Sequence, residues 1–381
     1  MRFKNQFRRG PVENRDPDEL LVEAAYRGLL NKAPDAQGFQ FCLSALKNGL
    51  AWEEFLRNIL SWHEFEPPMQ SSPMRVFELL MRERASLEGM DADVTIELSA
   101  DVGLDRMTML RGPVRDASVF TSIIQTGGMW EPNVTKFLTN YLSPGHVFVD
   151  VGANLGYFTI VGGVSVGPEG RVVSFEPAGS NLEYLRRNVD INELSNVQVV
   201  PYALWNSRGT LSMAVPDDFL GGAHVNEPIV ESGDAGQAGD NAVCAPLDEL
   251  VSSGEVELSQ CRLMKIDIEG SEPFALDGMQ ATLAALRPAI VIEVNPHCLA
   301  FLRLGPEAVW DRLNDLGYFV GVLPQPHQIA VLSRLPAFPF VEGACKLESC
   351  SQMQEILAEL SSDGPAWLDL VALPNELAER T

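Results

Sequence analysis

The chain has 381 residues, enough for two or three domains, and 46% of them are hydrophobic, which excludes a chain disordered throughout. Its 52 acidic residues outweigh 28 basic ones, for a net charge of -24. Such a surface repels a phosphate backbone, so DNA and RNA are not expected as partners, although a small anion held by backbone amides is not excluded. No run of about 18 apolar residues occurs, so no transmembrane helix is expected. The basic start, Met1 to Arg9, has no apolar stretch behind it and is not expected to act as a secretory signal.

Residues 1–15 carry no periodic pattern and are expected to be disordered; helices follow over 16–66. Asp16-Pro17-Asp18-Glu19 is a helix start, with Leu20, Leu21, Ala24, Ala25, Leu29 and Leu30 at helical spacing. A second helix starts at Pro34-Asp35, sets Phe39, Leu43 and Leu46 on one face and stops at Asn48-Gly49. A third, about Trp52 to Phe65, ends at Glu66-Pro67-Pro68. This stretch, with its core from Tyr26 to Gly38, resembles a small helical domain of unknown function from bacterial surface-layer and phycobilisome-linker-like proteins. The resemblance implies docking or scaffolding through residues 16–66. Residues 67–116 read as a helix, Val76 to Leu87, and a linker.

Beyond that point β-branched apolar runs alternate with helical stretches: His146–Val151, Arg171–Phe175, Asn196–Val200, Leu263–Ile268 and Ala289–Val294. This pattern predicts βαβ units and a mostly parallel sheet buried on both faces. Gly317–Val322 and Trp367–Leu373 read as later strands, separated by an insert at 324–365 with a hairpin-like piece and a helix, Gln352 to Leu360. Residues 221–243, rich in Gly, Ala and acids, read as a long loop, a candidate lid.

Three motifs carry chemistry. Asp150-Val151-Gly152-Ala153-Asn154-Leu155-Gly156 sits between a strand and a helix, where glycine lets a ligand approach the backbone and a helix start offers unpaired amides. A dinucleotide fingerprint needs G-x-G-x-x-G, but Asn154 and Tyr157 occupy its second and third glycine positions. Asp150 would repel a pyrophosphate and suits a ligand with an ammonium group. Glu176, followed by Pro177, ends the next strand, where a carboxylate accepts from ribose hydroxyls or is merely solvated. In Lys265-Ile266-Asp267-Ile268-Glu269, strand alternation puts Lys265, Asp267 and Glu269 on one face at the sheet's carboxyl edge. There Asp267 can orient a hydroxyl or take its proton, while Glu269 or Ser271 is placed to cap the next helix. Glu293 holds the equivalent place on the following strand, and a charge inside an apolar run needs a partner or a function. Five histidines and six scattered cysteines form no metal-ligand spacing, so no metal site is expected, and the thiols read as reduced in a cytoplasm.

Five blocks in order, VFVDVGANLGYFTI, VVSFEPAGSNLEYLRRNV, VVPYALWNSRGTL, LMKIDIEGSEPFALDGM and IVIEVNP, resemble the FkbM-type S-adenosylmethionine-dependent methyltransferases. The likeness spans 117–378. It implies an α/β fold, the class I methyltransferase (Rossmann-like) seven-stranded, mostly parallel sheet with one antiparallel strand, behind a small all-α domain. It implies that Asp150, Gly152, Asn154 and Gly156 cradle the methionine part of the cofactor and Glu176 the ribose. Ala203 and Leu204 then lie by the adenine and Asp267 near the transferred methyl. The expected activity is O-methylation of a sugar or glycan-type hydroxyl, with Asp267 as base and Glu269 or Glu293 assisting. His224 and His297 are alternative bases. The rival readings are a non-catalytic scaffold that keeps the fold, or an NAD-linked sugar oxidoreductase. Gly162-Gly163 departs from good helix composition at about 1 kcal/mol per glycine, which predicts a short helix or one packed unusually close to the sheet.

Overall fold

A computed structural model describes residues 93–113, 116, 118–215, 220–227, 240–325, 328–329, 340–341, 344–361 and 366–378. It also describes Leu43, Ser44 and Lys47, all helical. The rest of the expected N-terminal helices and the start over 1–15 lie outside the described residues. Val94–Gly112 and Asp116–Thr381 form one compact unit.

The strands run in chain order as β1 (Asp93–Glu97), β2 (Met109–Pro113), β3 (Val147–Val151), β4 (Arg171–Phe175), β5 (Val197–Val200), β6 (Ala203–Leu204), β7 (Gly209–Ala214) and β8 (His224–Glu227). They continue with β9 (Asp240–Ala245), β10 (Cys261–Ile266), β11 (Ala289–Val294), β12 (Tyr318–Val322), β13 (Phe340–Val341), β14 (Ala344–Lys346) and β15 (Leu368–Pro374). The main sheet has the order β13-β14-β12-β15-β11-β10-β3-β4-β5. Strands β5, β4, β3, β10 and β11 are parallel neighbours, and β15 runs antiparallel between β11 and β12. Seven strands with one reversed is the sheet the class I methyltransferase resemblance implies. The insert at 324–365 adds β13 and β14, antiparallel to each other, so the sheet has nine strands rather than seven. Its helix runs Cys350–Leu360, started by the Ser349 hydroxyl accepting from the Gln352 amide.

The continuous apolar strands bury both faces, as expected for parallel strands. Val149, Val151, Met264, Ile266, Ile290 and Ile292 pack into a core on one side. Phe148, Leu263, Ala289 and Val291, their alternates, pack on the other. The helix Tyr157–Ser165 lies on this second side. A Cβ on Gly162 would sit 2.4 Å from the Phe148 ring, so its glycine permits the close packing.

Three expectations are corrected. Residues 93–113 are no linker: β1 and β2 pair with each other, and all but Asp93 and Pro113 belong to the compact unit. Asn188 on the helix Gly179–Ile191 and Asn192, its C-cap, grip β2. Asn188 Oδ1 accepts from the Arg111 amide at 2.7 Å and Asn192 Oδ1 from that of Met109 at 2.8 Å. Second, 221–243 is not one long loop. Its ends are β8 and the start of β9, in a four-stranded sheet ordered β6-β9-β7-β8; residues 228–239 lie outside the described residues. Third, β10 stops at Ile266, so Glu269 is placed by a left-handed loop residue (φ 51°) and not by strand alternation.

Candidate active site

The strand order reverses between β3 and β10: the chain goes outward through β4 and β5, then returns on the other side of β3. The crevice at such a switch point is where open α/β sheets hold ligands. Here it is a cavity of about 690 Å³. Gly152, Ala153, Asn154 and Leu155 line it after β3, Glu176 and Pro177 after β4, and Asp267, Ile268 and Glu269 after β10. Ala203 and Leu204, Glu293, His224 and His297 also line it. Asp150 and Gly156 do not.

The glycine loop is built by close approach. Gly152 has φ 83°, and a Cβ there would lie 1.8 Å from the Asp267 carbonyl oxygen. The loops after β3 and β10 therefore touch, and the Asp267 amide donates to the Val151 carbonyl at 3.0 Å. Gly156, also left-handed at 93°, makes room for Leu185 rather than for a ligand. Asp150 is 1% exposed and accepts from the Thr159 hydroxyl at 2.6 Å. Burial pushes its carboxyl up to about 6, against the pull of Lys265. It supports the loop from below and does not face a ligand ammonium, because β3 turns it toward the helix that carries Thr159. The expected free amides are also corrected. Gly152 and Ala153 donate to the Phe175 carbonyl, Asn154 to Glu176, Leu155 to the Asn154 side chain and Gly156 to the Ala153 carbonyl. With these donors committed, the loop offers no nest to a pyrophosphate, which counts against the NAD reading.

Glu176 is 4% exposed, and each of its oxygens accepts one backbone amide, from Asn154 and Ala178, both at 2.8 Å. Burial still lifts it to about 7. Ala203 and Leu204 form β6 and hold their wall by pairing with β9.

The other end of the cavity is acidic. Lys265 Nζ contacts Asp267 Oδ2 at 2.7 Å and lies 4.6 Å from the centre of the Phe158 ring. Burial opposes the charge of Lys265, yet Asp267, Glu131 and Asp150 together hold it above its ordinary value. Glu269 accepts from the Cys298 thiol at 3.0 Å, and burial, then Asp267, raises it to about 7. Burial and then Asp267 push Glu293 well above the usual range. Neither Glu269 nor Ser271 caps the next helix. Glu272 ties the loop instead, accepting from the Ile268 amide at 3.0 Å and the Gly270 amide at 3.2 Å. His224 and His297 flank Phe301, at centroid distances of 5.3 and 5.0 Å, and Phe301 is 54% exposed at the cavity wall.

Three carboxylates come within 4.8 Å of one another, oxygen to oxygen: Glu131, Glu293 and Asp369. Sequence reasoning singled out only Glu293. Asp369 carries the same signal, an acid inside the apolar run of β15. Glu131 falls in the lead-in Gly128–Pro132 before the first strand of the resemblance, at the start of the helix Pro132–Tyr141, and nothing there marks it as a partner of Glu293.

No curated protein matches the chain. Among solved structures it is similar to a methyltransferase FkbM from Methylobacillus flagellatus at 16% identity, covering 76% of this chain and 68% of that one, with a TM-score of 0.33. It is also similar to a precorrin-6y C5,15-methyltransferase from Geobacter metallireducens (13% identity, 64% and 88% covered, TM-score 0.32). A SAM-dependent O-methyltransferase from Thermotoga maritima matches at 10% identity, 64% and 65% covered, with a TM-score of 0.34. In sequence, residues 150–320 match the family model of the methyltransferase FkbM domain.

Proposed function

We propose that the domain over 117–378 is an O-methyltransferase that moves the methyl of S-adenosylmethionine to a hydroxyl of a sugar or glycan-type acceptor. The observation that carries this reading is the cavity at the switch point, with Glu176 at one end and Asp267, Glu269 and Glu293 at the other. The committed loop amides favour a cationic sulfonium cofactor over a pyrophosphate. In the transfer an acceptor oxygen forms a bond to the methyl carbon. The carbon–sulfur bond breaks and its electron pair stays on sulfur, leaving S-adenosylhomocysteine. The protein's work is to align the two in line and to accept the hydroxyl proton. Asp267, fixed by Lys265, orients the hydroxyl. Asp267 is also placed to take its proton, with Glu269, raised to about 7, assisting. The exposed face of Phe301 offers a stacking surface to an uncharged ring. The acidic walls disfavour a polyanion such as RNA. We assign residues 16–66 a docking role and the chain to the cytoplasm; the four cysteines whose side chains are described, none in a disulfide, support the latter. No helix among the described residues is long and apolar enough to cross a membrane.

The test is methyl transfer from labelled S-adenosylmethionine to a panel of mono- and oligosaccharides. Asp267→Asn is expected to lower kcat by about 10²–10⁴-fold while S-adenosylhomocysteine binding is kept. Full turnover in this variant would remove Asp267 from the chemistry.

A further inference from the structure

We propose that Glu131, Glu293 and Asp369 form a binding site for a divalent cation at the acceptor end of the cavity. The site rests on the methyltransferase reading only for its neighbour, since its three ligands are brought together by the sheet. Glu293 and Asp369 face each other in register on antiparallel β11 and β15. Like charges directly opposite across two strands repel, and a pair of this kind stays only if something answers the charge. Glu131 enters from the start of the helix Pro132–Tyr141, closing the third side.

A second observation points to a ligand. Gln325, just past β12, is 3% exposed and donates from Nε2 to Asp369 Oδ2 at 2.7 Å. Its Oε1, one amide width away, is buried and has no partner among the described residues. Glu131 Oε2 is likewise enclosed and without a partner. One oxygen of the carboxylate trio and the neighbouring carboxamide oxygen, both enclosed and without a partner, call for a donor or a cation. Lys265 acts on these carboxylates only through its field: its ion pair is with Asp267, at 2.7 Å, and it makes none with Glu131, Glu293 or Asp369. The other grouping, Asp267, Glu269 and Glu293, is weaker as a cage, because Asp267 holds Lys265 and Glu269 holds the Cys298 thiol.

Carboxylates with a carboxamide are a hard, all-oxygen set, which suits Mg²⁺, Mn²⁺ or Ca²⁺ over a soft metal. Ligands at about 2.0–2.6 Å from such an ion leave oxygens spaced as these are. Glu131 and Glu293 line the cavity, whereas Asp369 is 2% exposed behind them. The open positions of the ion therefore face the cavity, where acceptor hydroxyls would complete its shell.

The experiment titrates the full chain with Mn²⁺, followed by electron paramagnetic resonance and thermal melting, with S-adenosylhomocysteine binding measured in parallel. One Mn²⁺ per chain is expected, raising the melting temperature. Glu131→Gln and Asp369→Asn should each weaken Mn²⁺ by about tenfold or more and cancel the melting shift. Both substitutions remove like charge at constant shape, so without metal the variants should melt no lower than the parent. Absence of Mn²⁺ uptake at about 1 mM, in a sample that binds S-adenosylhomocysteine, would overturn the site. So would Mn²⁺ affinity in both variants equal to that of the parent. Mn²⁺ uptake without S-adenosylhomocysteine binding would uphold the site and sink the cofactor reading instead.

Discussion

The two ends of the cavity treat buried carboxylates in opposite ways. At the glycine-loop end, Glu176 has a backbone amide on each oxygen, and the loop amides of residues 152–156 are all paired. At the acidic end, Glu131 Oε2 and Gln325 Oε1 have no partner, and Glu293 and Asp369 confront each other across two strands. An unpaired buried polar group costs about 1–3 kcal/mol, so a fold keeps several of them together only where a ligand completes them. At the first end the protein itself pairs the loop amides and Glu176, and leaves Asp150 Oδ1 as the exception. The second is finished by what binds.

The largest effect should come from the contact that joins the two ends. Gly152→Ala puts a Cβ 1.8 Å from the Asp267 carbonyl at a left-handed φ. It is expected to cost more than about 4 kcal/mol or to abolish folding, read from urea denaturation. A midpoint shift under about 1 kcal/mol would mean the loops do not touch. Next is Glu272, which fixes the loop carrying Asp267 and Glu269 through two amides. Glu272→Ala should cost about 2–4 kcal/mol, and Glu272→Gln, which keeps an acceptor, much less. Equal losses in the two variants would show that charge and not the acceptor matters.

A pH series tests the paired end without any ligand. Glu176 rises from 4.5 to about 7 on burial, so the native carboxyl holds its proton more tightly than the unfolded one. The stabilisation is complete below about 4.5 and fades as pH rises through about 7. At about 1.4 kcal/mol per unit it amounts to about 3 kcal/mol at most. Glu269, about 7, and Asp369, about 6, add in the same direction. The ligand-free protein should therefore melt higher at pH 5.5 than at pH 8, and Glu176→Gln should flatten part of that slope. A melting temperature that rises with pH would contradict the burial of these groups. The smallest effect on stability belongs to the exposed Phe301: Phe301→Ala should change it by less than about 0.5 kcal/mol. It should raise the acceptor KM several-fold while leaving S-adenosylhomocysteine binding as it was. An unchanged KM would remove the stacking surface from the acceptor site.

Much of the frame was readable in the chain. Arg171–Phe175 and Ala289–Val294 are strands over the residues their apolar runs predict, because a parallel strand buried on both faces writes itself as an unbroken run. The short strands β6 to β9 left no comparable mark, since two- to six-residue pieces on a partly exposed sheet need only weak alternation. The site was legible where a charge interrupts an apolar run, as Glu293 does. Asp369 interrupts β15 in the same way, but an isolated acid names no partner. Asp150 misled for a related reason: its motif fixes its place in the chain, whereas the helix behind β3 fixes where its carboxyl points.

The sequence by itself determined the alternating α/β order, the apolar strands and a glycine loop out of register for a dinucleotide. Those features are local, set by side-chain periodicity and by positions where only glycine fits. The tertiary structure alone decided that Glu131, Glu293 and Asp369 meet. That meeting depends on the antiparallel register of β15 against β11 and on where one helix begins. These pairings between distant segments are stabilised by burial and hydrogen bonding across the sheet, and no local pattern in the chain encodes them.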